Sequence, residues 1–212
     1  MYQIAFTKNT PSDRIIIKAK VVKAPADILA KYQDKLRFEN LCKSGCPNYG
    51  RKWSCPPYSP GYSAYYKDYP HVLLVLFWCT LDQFSYAGTE IIKVKAANSI
   101  LKSSIDRFMR SLAQEFNGVM LSNGSCRLCR PCSRKTGTDG CKRPEEMRFS
   151  MEALGLDVSS ISKDFFDHPL MWYKNKKAPL YSSVISCLLI KKEIKDAGMI
   201  CMIRDYLSAS QK

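Results

Sequence analysis

The octet Val72-Leu73-Leu74-Val75-Leu76-Phe77-Trp78-Cys79 contains no charged or amide residue. It falls well short of the roughly 20 apolar positions a membrane helix needs. Its β-branched and aromatic content suits a strand instead. Because polar residues do not alternate with apolar ones, the strand is expected to be central and covered on both faces. Upstream, Ile15, Ile17, Ala19 and Val21 alternate with Lys18 and Lys20, the period-2 pattern of a half-buried strand. Pro25 at an entry position, followed by Ile28, Leu29, Tyr32 and Leu36 at helical spacing, predicts a helix from Ala26 to about Phe38.

Downstream of the octet, apolar residues step by 3, 4, 4, 3, 4 and 4 from Val94 through Ala97, Leu101, Ile105, Phe108 and Leu112 to Phe116. This is the clearest amphipathic helix in the chain, and Asn117-Gly118 ends it. A short strand is expected over Val119 to Leu121. Pro144 stands where a first helical residue belongs, Glu145 and Glu146 suit the positive end of a helix dipole, and Gly155 suits a C-terminal cap. A strand at Tyr181 to Ile190 and a helix around Ile194 to Leu207 follow. The segment from Cys42 to Pro57, and the Tyr/Pro/Gly-rich stretch on to Pro70, read as irregular. The expected fold class is α/β (or α+β): a single layered domain over residues 1–212 with a sheet of about four strands, flanking helices and two cysteine-rich loops.

Across 212 residues the chain carries ten Cys and a net charge of +14. The N-terminal residues Met1 to Lys8 lack the basic, apolar and small-residue succession of a secretory signal, so a cytoplasmic location is expected. In a reducing compartment clustered cysteines hold metal or carry redox chemistry more often than structural disulfides. Cys126, Cys129, Cys132 and Cys141 stand as C-x2-C-x2-C-x8-C, with Pro144 three residues beyond. Three thiolates at such short intervals converge on one point, as in a loop around a corner of a [4Fe-4S] cluster; in the bacterial ferredoxin run the last spacing is shorter and Pro follows the fourth Cys directly. Zinc competes, because four Cys can close a tetrahedral site. Structural zinc, however, usually takes two separated C-x2-C pairs, and here the third Cys crowds the first two.

Cys42, Cys46 and Cys55 form C-x3-C-x8-C ahead of Pro56-Pro57. With three thiols, this second metal site is completed from elsewhere, shared with the first, or left open. Cys141 is a candidate to cross over. Cys79, Cys187 and Cys201 lie singly in apolar segments and read as small core residues. His71 and His168, each beside a Pro, are candidate fourth ligands, although hydrogen-bonded or solvent-facing roles are the expected ones.

The loop from Cys42 through Gly45-Cys46-Pro47 and Trp53-Ser54-Cys55-Pro56-Pro57, with Gly124-Ser125-Cys126-Arg127-Leu128-Cys129, Cys141-Lys142-Arg143-Pro144 and Met151-Glu152-Ala153-Leu154-Gly155-Leu156-Asp157-Val158, resembles a family. It is the bacterial and archaeal family of predicted cysteine-rich metal-binding proteins that bears a domain-of-unknown-function label. The resemblance spans roughly residues 35–190 and implies metal binding by these seven cysteines. It implies no particular reaction.

Arg127, Arg130, Arg134, Lys135, Lys142 and Arg143 surround the second loop. They offset a cluster's negative charge, or form a footprint for nucleic acid or an acidic protein. Tyr58, Tyr62, Tyr65, Tyr66 and Tyr69 either shield a cluster from water or stack on single-stranded bases. Glycine-rich phosphate loops, the H-E-x-x-H zinc motif and the G-x-S-x-G elbow do not occur. The leading expectation is an iron-sulfur protein with one or two [4Fe-4S] clusters that exchanges electrons with a redox protein partner, away from any membrane. One alternative is an enzyme using an open three-cysteine cluster on a sulfur-containing or nucleic-acid substrate. The other is a zinc-stabilised binding module.

Overall fold

The computed structural model describes residues 1–195 together with 199, 203 and 206. Its frame is a five-stranded sheet in the order β1-β2-β3-β5-β4, antiparallel at every pairing. The strands are β1 (Tyr2–Asn9), β2 (Arg14–Pro25), β3 (His71–Thr80), β4 (Val119–Leu121) and β5 (Tyr181–Ile190). The helices are α1 (Lys35–Gly45), α2 (Tyr62–Tyr65), α3 (Glu90–Glu115) and α4 (Val158–Phe166).

The octet lies within β3, the middle strand, between β2 and β5. Its side chains alternate between two apolar layers. Leu73, Val75, Phe77 and Cys79 face α3, where they meet Leu101, Ile105, Phe108 and Leu112. Val72, Leu74, Leu76 and Trp78 face the opposite layer, which contains Leu29, Tyr62, Leu154, Ile161 and Phe166. All eight are buried, so the absence of alternation reflects cover on both faces.

β1 was not anticipated, although Tyr2, Ile4 and Phe6 alternate as a strand should; it closes the sheet beyond β2 in the register Phe6↔Ile17. The helix expected over 26–38 divides into two pieces. A 3-10 helix runs over Asp27–Tyr32, Gln33 bridges to Leu156, and α1 then starts afresh from Asp34, whose side chain accepts the Arg37 N–H at 3.0 Å. Leu36, assigned above to the apolar stripe, is 74% exposed. α1 also runs farther than expected, so Cys42 stands on a helix and not in an irregular loop. α2 adds one helical turn to the Tyr-rich stretch.

α3 starts four residues before the expected Val94 and ends where Asn117 takes φ +45°. Gly118 completes the corner, since a Cβ there would lie 2.6 Å from the Leu189 carbonyl oxygen. The helix expected after Pro144 does not form. Met147 N–H closes a single turn onto the Arg143 carbonyl at 3.0 Å, and Ser122 N–H takes the Phe149 carbonyl at 2.7 Å, which draws residues 149–150 alongside the end of β4. Only a 3-10 turn, Glu152–Leu154, follows, and Gly155 caps it at φ +87°. The C-terminal helix expected around Ile194 to Leu207 lies mostly outside the described residues, as does Cys201; Met199 and Ile203 join the layer under α3.

Candidate metal centre

Two segments meet beyond the β4 edge of the sheet. In the first, α1 carries Cys42 in its last turn, and Cys46 caps the helix by donating its N–H to the Cys42 carbonyl at 2.9 Å. The chain then turns through Gly50, at φ +64°, whose N–H takes the Pro56 carbonyl at 2.9 Å. That turn returns Cys55 to the helix end, where it is buried. Burial pushes the Cys42 thiol up, with Cys46 and Glu152 adding to the effect and Lys35 opposing it. The Cys55 thiol is also pushed up by burial; Ser54 opposes this, while Cys46 and Cys42 add to it. The three cysteines are therefore electrostatic neighbours. Beside them, Lys35 donates to Ser59 Oγ and to the Ala153 carbonyl, both at 2.8 Å, and burial lowers its pKa.

The second segment leaves β4 at Ser122. Cys126, Cys129, Cys132 and Cys141 line a single narrow cleft walled by Trp53, Ser54, Leu128 and Met147. Cys132 precedes a 3-10 turn, Ser133–Thr136, that ends at Gly137 with φ +73°. Ser133 Oγ donates to the Gly140 carbonyl at 2.8 Å, which folds the long eight-residue interval back so that Cys141 rejoins the other three. The Arg143 N–H points at Cys141 Sγ from 3.4 Å.

Residues of the first segment bind the second directly. Ser54, buried between them, accepts the Cys126 N–H on its Oγ at 3.1 Å, and that Oγ stands 3.9 Å from Cys55 Sγ. Lys52 Nζ donates to Ser125 Oγ at 3.0 Å and to the Cys126 carbonyl at 2.8 Å. Trp53 Nε1 donates to Ser133 Oγ at 3.1 Å, while the Arg134 guanidinium lies over the Trp53 and Tyr58 rings. In the sequence, Lys52, Trp53 and Ser54 stand out only as the residues that precede Cys55. Their adjacency to Cys55 was the available signal, and nothing in the sequence placed them against Cys126.

The other sequence candidates lie elsewhere. Cys79 and Cys187 are core residues; burial pushes both thiols up, that of Cys79 to about 12. His168 is buried against Trp78 and Tyr181, with Nε2 2.8 Å from Ser183 Oγ. Burial, then Lys20, lowers its pKa to about 4. His71 opens β3, opposite Pro25 and Ile190. Tyr62, Tyr65, Tyr66 and Tyr69 pack into the sheet layer opposite α3, and Tyr58 is the member of that group stacked at the cysteine loops. Arg143 pairs with Glu146 at 3.1 Å.

The donor chemistry suits a soft metal or an iron-sulfur cluster, since thiolates are the ligands of both. The space around the four thiols is tight, about 10 Å³. Among the described residues no three Cys, His, Asp or Glu side chains stand close enough to hold one ion as placed. Four thiolates on one zinc lie about 3.8 Å apart, from tetrahedral geometry and a bond of ~2.3 Å. Closing a single-zinc site on these four thiols therefore requires the second loop to move. All nine described cysteines are free thiols. No helix among the described residues is long and apolar enough to cross a membrane.

The fold is thus that of a cysteine-rich protein with an antiparallel sheet flanked by helices, in which two sets of cysteines are brought side by side. The chain belongs to the family described as predicted metal-binding protein (DUF2284), which it matches over residues 29–190. Neither the curated proteins nor the solved structures contain a match.

Proposed function

We propose that this is an iron-sulfur protein of a reducing, cytoplasmic compartment. In this reading Cys126, Cys129, Cys132 and Cys141 hold a [4Fe-4S] cluster, and Cys42, Cys46 and Cys55 hold a second metal centre. A cluster bound there would supply a one-electron store for exchange with a redox protein partner. The observation that carries the reading is the convergence of all four spaced cysteines on one cleft with apolar Trp53, Leu128 and Met147 walls. Such walls limit the water around the thiols, which stay partly exposed, and solvent exposure is one of the levers on a cluster's potential. The link from Cys55 through Ser54 to Cys126 supports two neighbouring centres over two remote ones.

A second reading, an enzyme with an open three-thiol centre, draws on the first segment. There three cysteines, not four, are neighbours, and the Lys35 ammonium lies close to Cys42. A centre with one position free of protein thiolate can accept substrate, as open metal sites do.

The deciding experiment is iron, zinc and acid-labile sulfide per chain on protein purified without oxygen, with an absorption spectrum. About four irons and four sulfides indicate one cubane, and about eight of each indicate two. Zinc without sulfide overturns both redox readings and leaves a zinc-stabilised module. If iron is found, a shift in its spectrum on adding a small thiol or cyanide selects the open site; no shift favours electron transfer alone.

A further inference from the structure

A second hollow adjoins the thiol cleft, with Cys126 in the wall of both. Its volume is about 270 Å³, just under the ~300–1,000 Å³ typical of small-molecule sites. One wall is the exposed side of α3, where Lys102, Ser103, Asp106, Arg107 and Arg110 fall on one helical face; the turn 122–127 and the segment carrying Glu146 and Arg148 form the others.

The charges do not cancel. Five cations line the hollow, Lys102, Arg107, Arg110, Arg127 and Arg148, against the carboxylates of Asp106 and Glu146. Asp106 is taken by Arg110 at 2.8 Å, and Glu146 by Arg143, which lies outside the hollow, at 3.1 Å. Among the described residues, Lys102, Arg107, Arg127 and Arg148 thus have no carboxylate partner. The turn adds backbone donors: the N–H groups of Asn123, Gly124 and Ser125 meet no acceptor among the described residues, and a Cβ at Gly124, where φ is +154°, would meet only open space. Successive free N–H groups beside guanidinium groups are a recurrent way to hold an oxyanion. Arg110 and Arg148 also border an adjoining hollow of about 310 Å³ with Gln114 and Asn117, which gives the uncharged remainder of a ligand a polar surface.

We propose that this hollow binds a small molecule through a phosphate or carboxylate group, seated between Arg107 and Arg127 and beside the candidate metal centre. The site is concave and small, with its donors on several sides. These features fit an anionic head group better than the extended backbone of a nucleic acid. The proposal goes beyond the iron-sulfur reading and does not depend on which metal the cysteines hold.

The test is isothermal titration calorimetry on the full-length protein as purified, at low salt, with inorganic pyrophosphate, citrate and a single-stranded DNA oligonucleotide as separate probes. One small anion is expected to bind saturably, pyrophosphate if the site reads phosphate and citrate if it reads carboxylate. Arg107→Gln and Arg127→Gln should each weaken it at least about tenfold, the loss expected for one charge-assisted hydrogen bond. Lys163→Gln, which removes an exposed charge on α4 in the other layer, should leave it unchanged. Matching thermal unfolding curves would confirm that the variants fold. Absence of saturable binding by both small anions would overturn the proposal, as would equal weakening by Lys163→Gln, which would reduce the cations to diffuse surface charge. Binding of the oligonucleotide without either small anion would also overturn it.

Discussion

Replacing Ser54 by alanine tests the joint between the two cysteine segments. Ser54 is 1% exposed, and its Oγ is the acceptor for the Cys126 N–H at 3.1 Å. In Ser54→Ala that half-buried N–H loses its acceptor. Leaving a buried donor unsatisfied costs about 1–3 kcal/mol. The 3.9 Å contact with Cys55 Sγ adds little, because thiols are weak partners. The Lys52 and Trp53 bonds to Ser125, Cys126 and Ser133 survive, so the loops stay joined and the expected loss is at the low end, about 1–2 kcal/mol. For an m-value of about 2–3 kcal/mol/M, the urea midpoint of the metal-free, fully reduced protein should fall by roughly 0.3–1 M at unchanged m. Ser63→Ala is the control: Ser63 is exposed, and the bond from its backbone N–H to Gln33 Oε1 is untouched by the change. A Ser54→Ala midpoint within about 0.1 M of the parent would refute the joint as a stabilising contact, that shift being under ~0.3 kcal/mol.

Cys129→Ser is expected to lose the metal of the second loop while Cys187→Ser keeps it, measured as bound metal per chain; equal loss from both would erase the division between ligand and core cysteines. Gly155→Ala should cost about 2–4 kcal/mol, from a left-handed residue with a side chain and from backbone crowding, because φ there is +87° and the new Cβ would lie 2.7 Å from Lys35 Cα; chemical denaturation measures it, and a change under about 0.5 kcal/mol counts against the packing of this turn on α1. His168 is neutral in the fold, with a pKa lowered to about 4 by burial and then by Lys20. An unfolded histidine takes its proton near pH ~6.5, so stability should fall as pH drops from that value towards 4, and His168→Gln should flatten that fall in a series of urea titrations. Metal loading should slow amide exchange across residues 124–143, read by mass spectrometry, because a ligated loop opens less often; unchanged exchange on loading would place the metal elsewhere.

The parts of the fold that show in the sequence are those where one local pattern meets one environment. The β3 octet, the helical run of α3 and the β5 strand all fall where their apolar patterns put them, because each is set by burial against a broad apolar layer. Where local signals lost to tertiary contacts, the reading erred. Pro144-Glu145-Glu146 opens like a helix, yet the Ser122–Phe149 bond competes for the same backbone. The run from Ile28 to Leu36 has helical spacing, but the Asp34 cap and the Gln33–Leu156 bridge break it. The two cysteine groups were legible as groups because thiols spaced at short intervals in the chain stay near one another in the fold. Their joint was not, since it depends on Ser54 meeting Cys126 at a separation of 72 positions. The hollow beside Cys126 was hidden for the same reason: Arg107 and Arg127 come to line one hollow only when α3 lies near the turn after β4.

That long separation matters while the chain is being made. Cys42, Cys46 and Cys55 leave the ribosome well ahead of Cys126, and at ~5–20 residues per second a gap of about 70 residues lasts roughly 4–14 s. Throughout that interval Trp53 and Ser54 have no loop to close against, and the early thiols are open to oxidants and to whichever thiophilic ion arrives first. Under the proposed reading, maturation is a question of timing as much as affinity, with metal best delivered after β5 has emerged and the sheet can close.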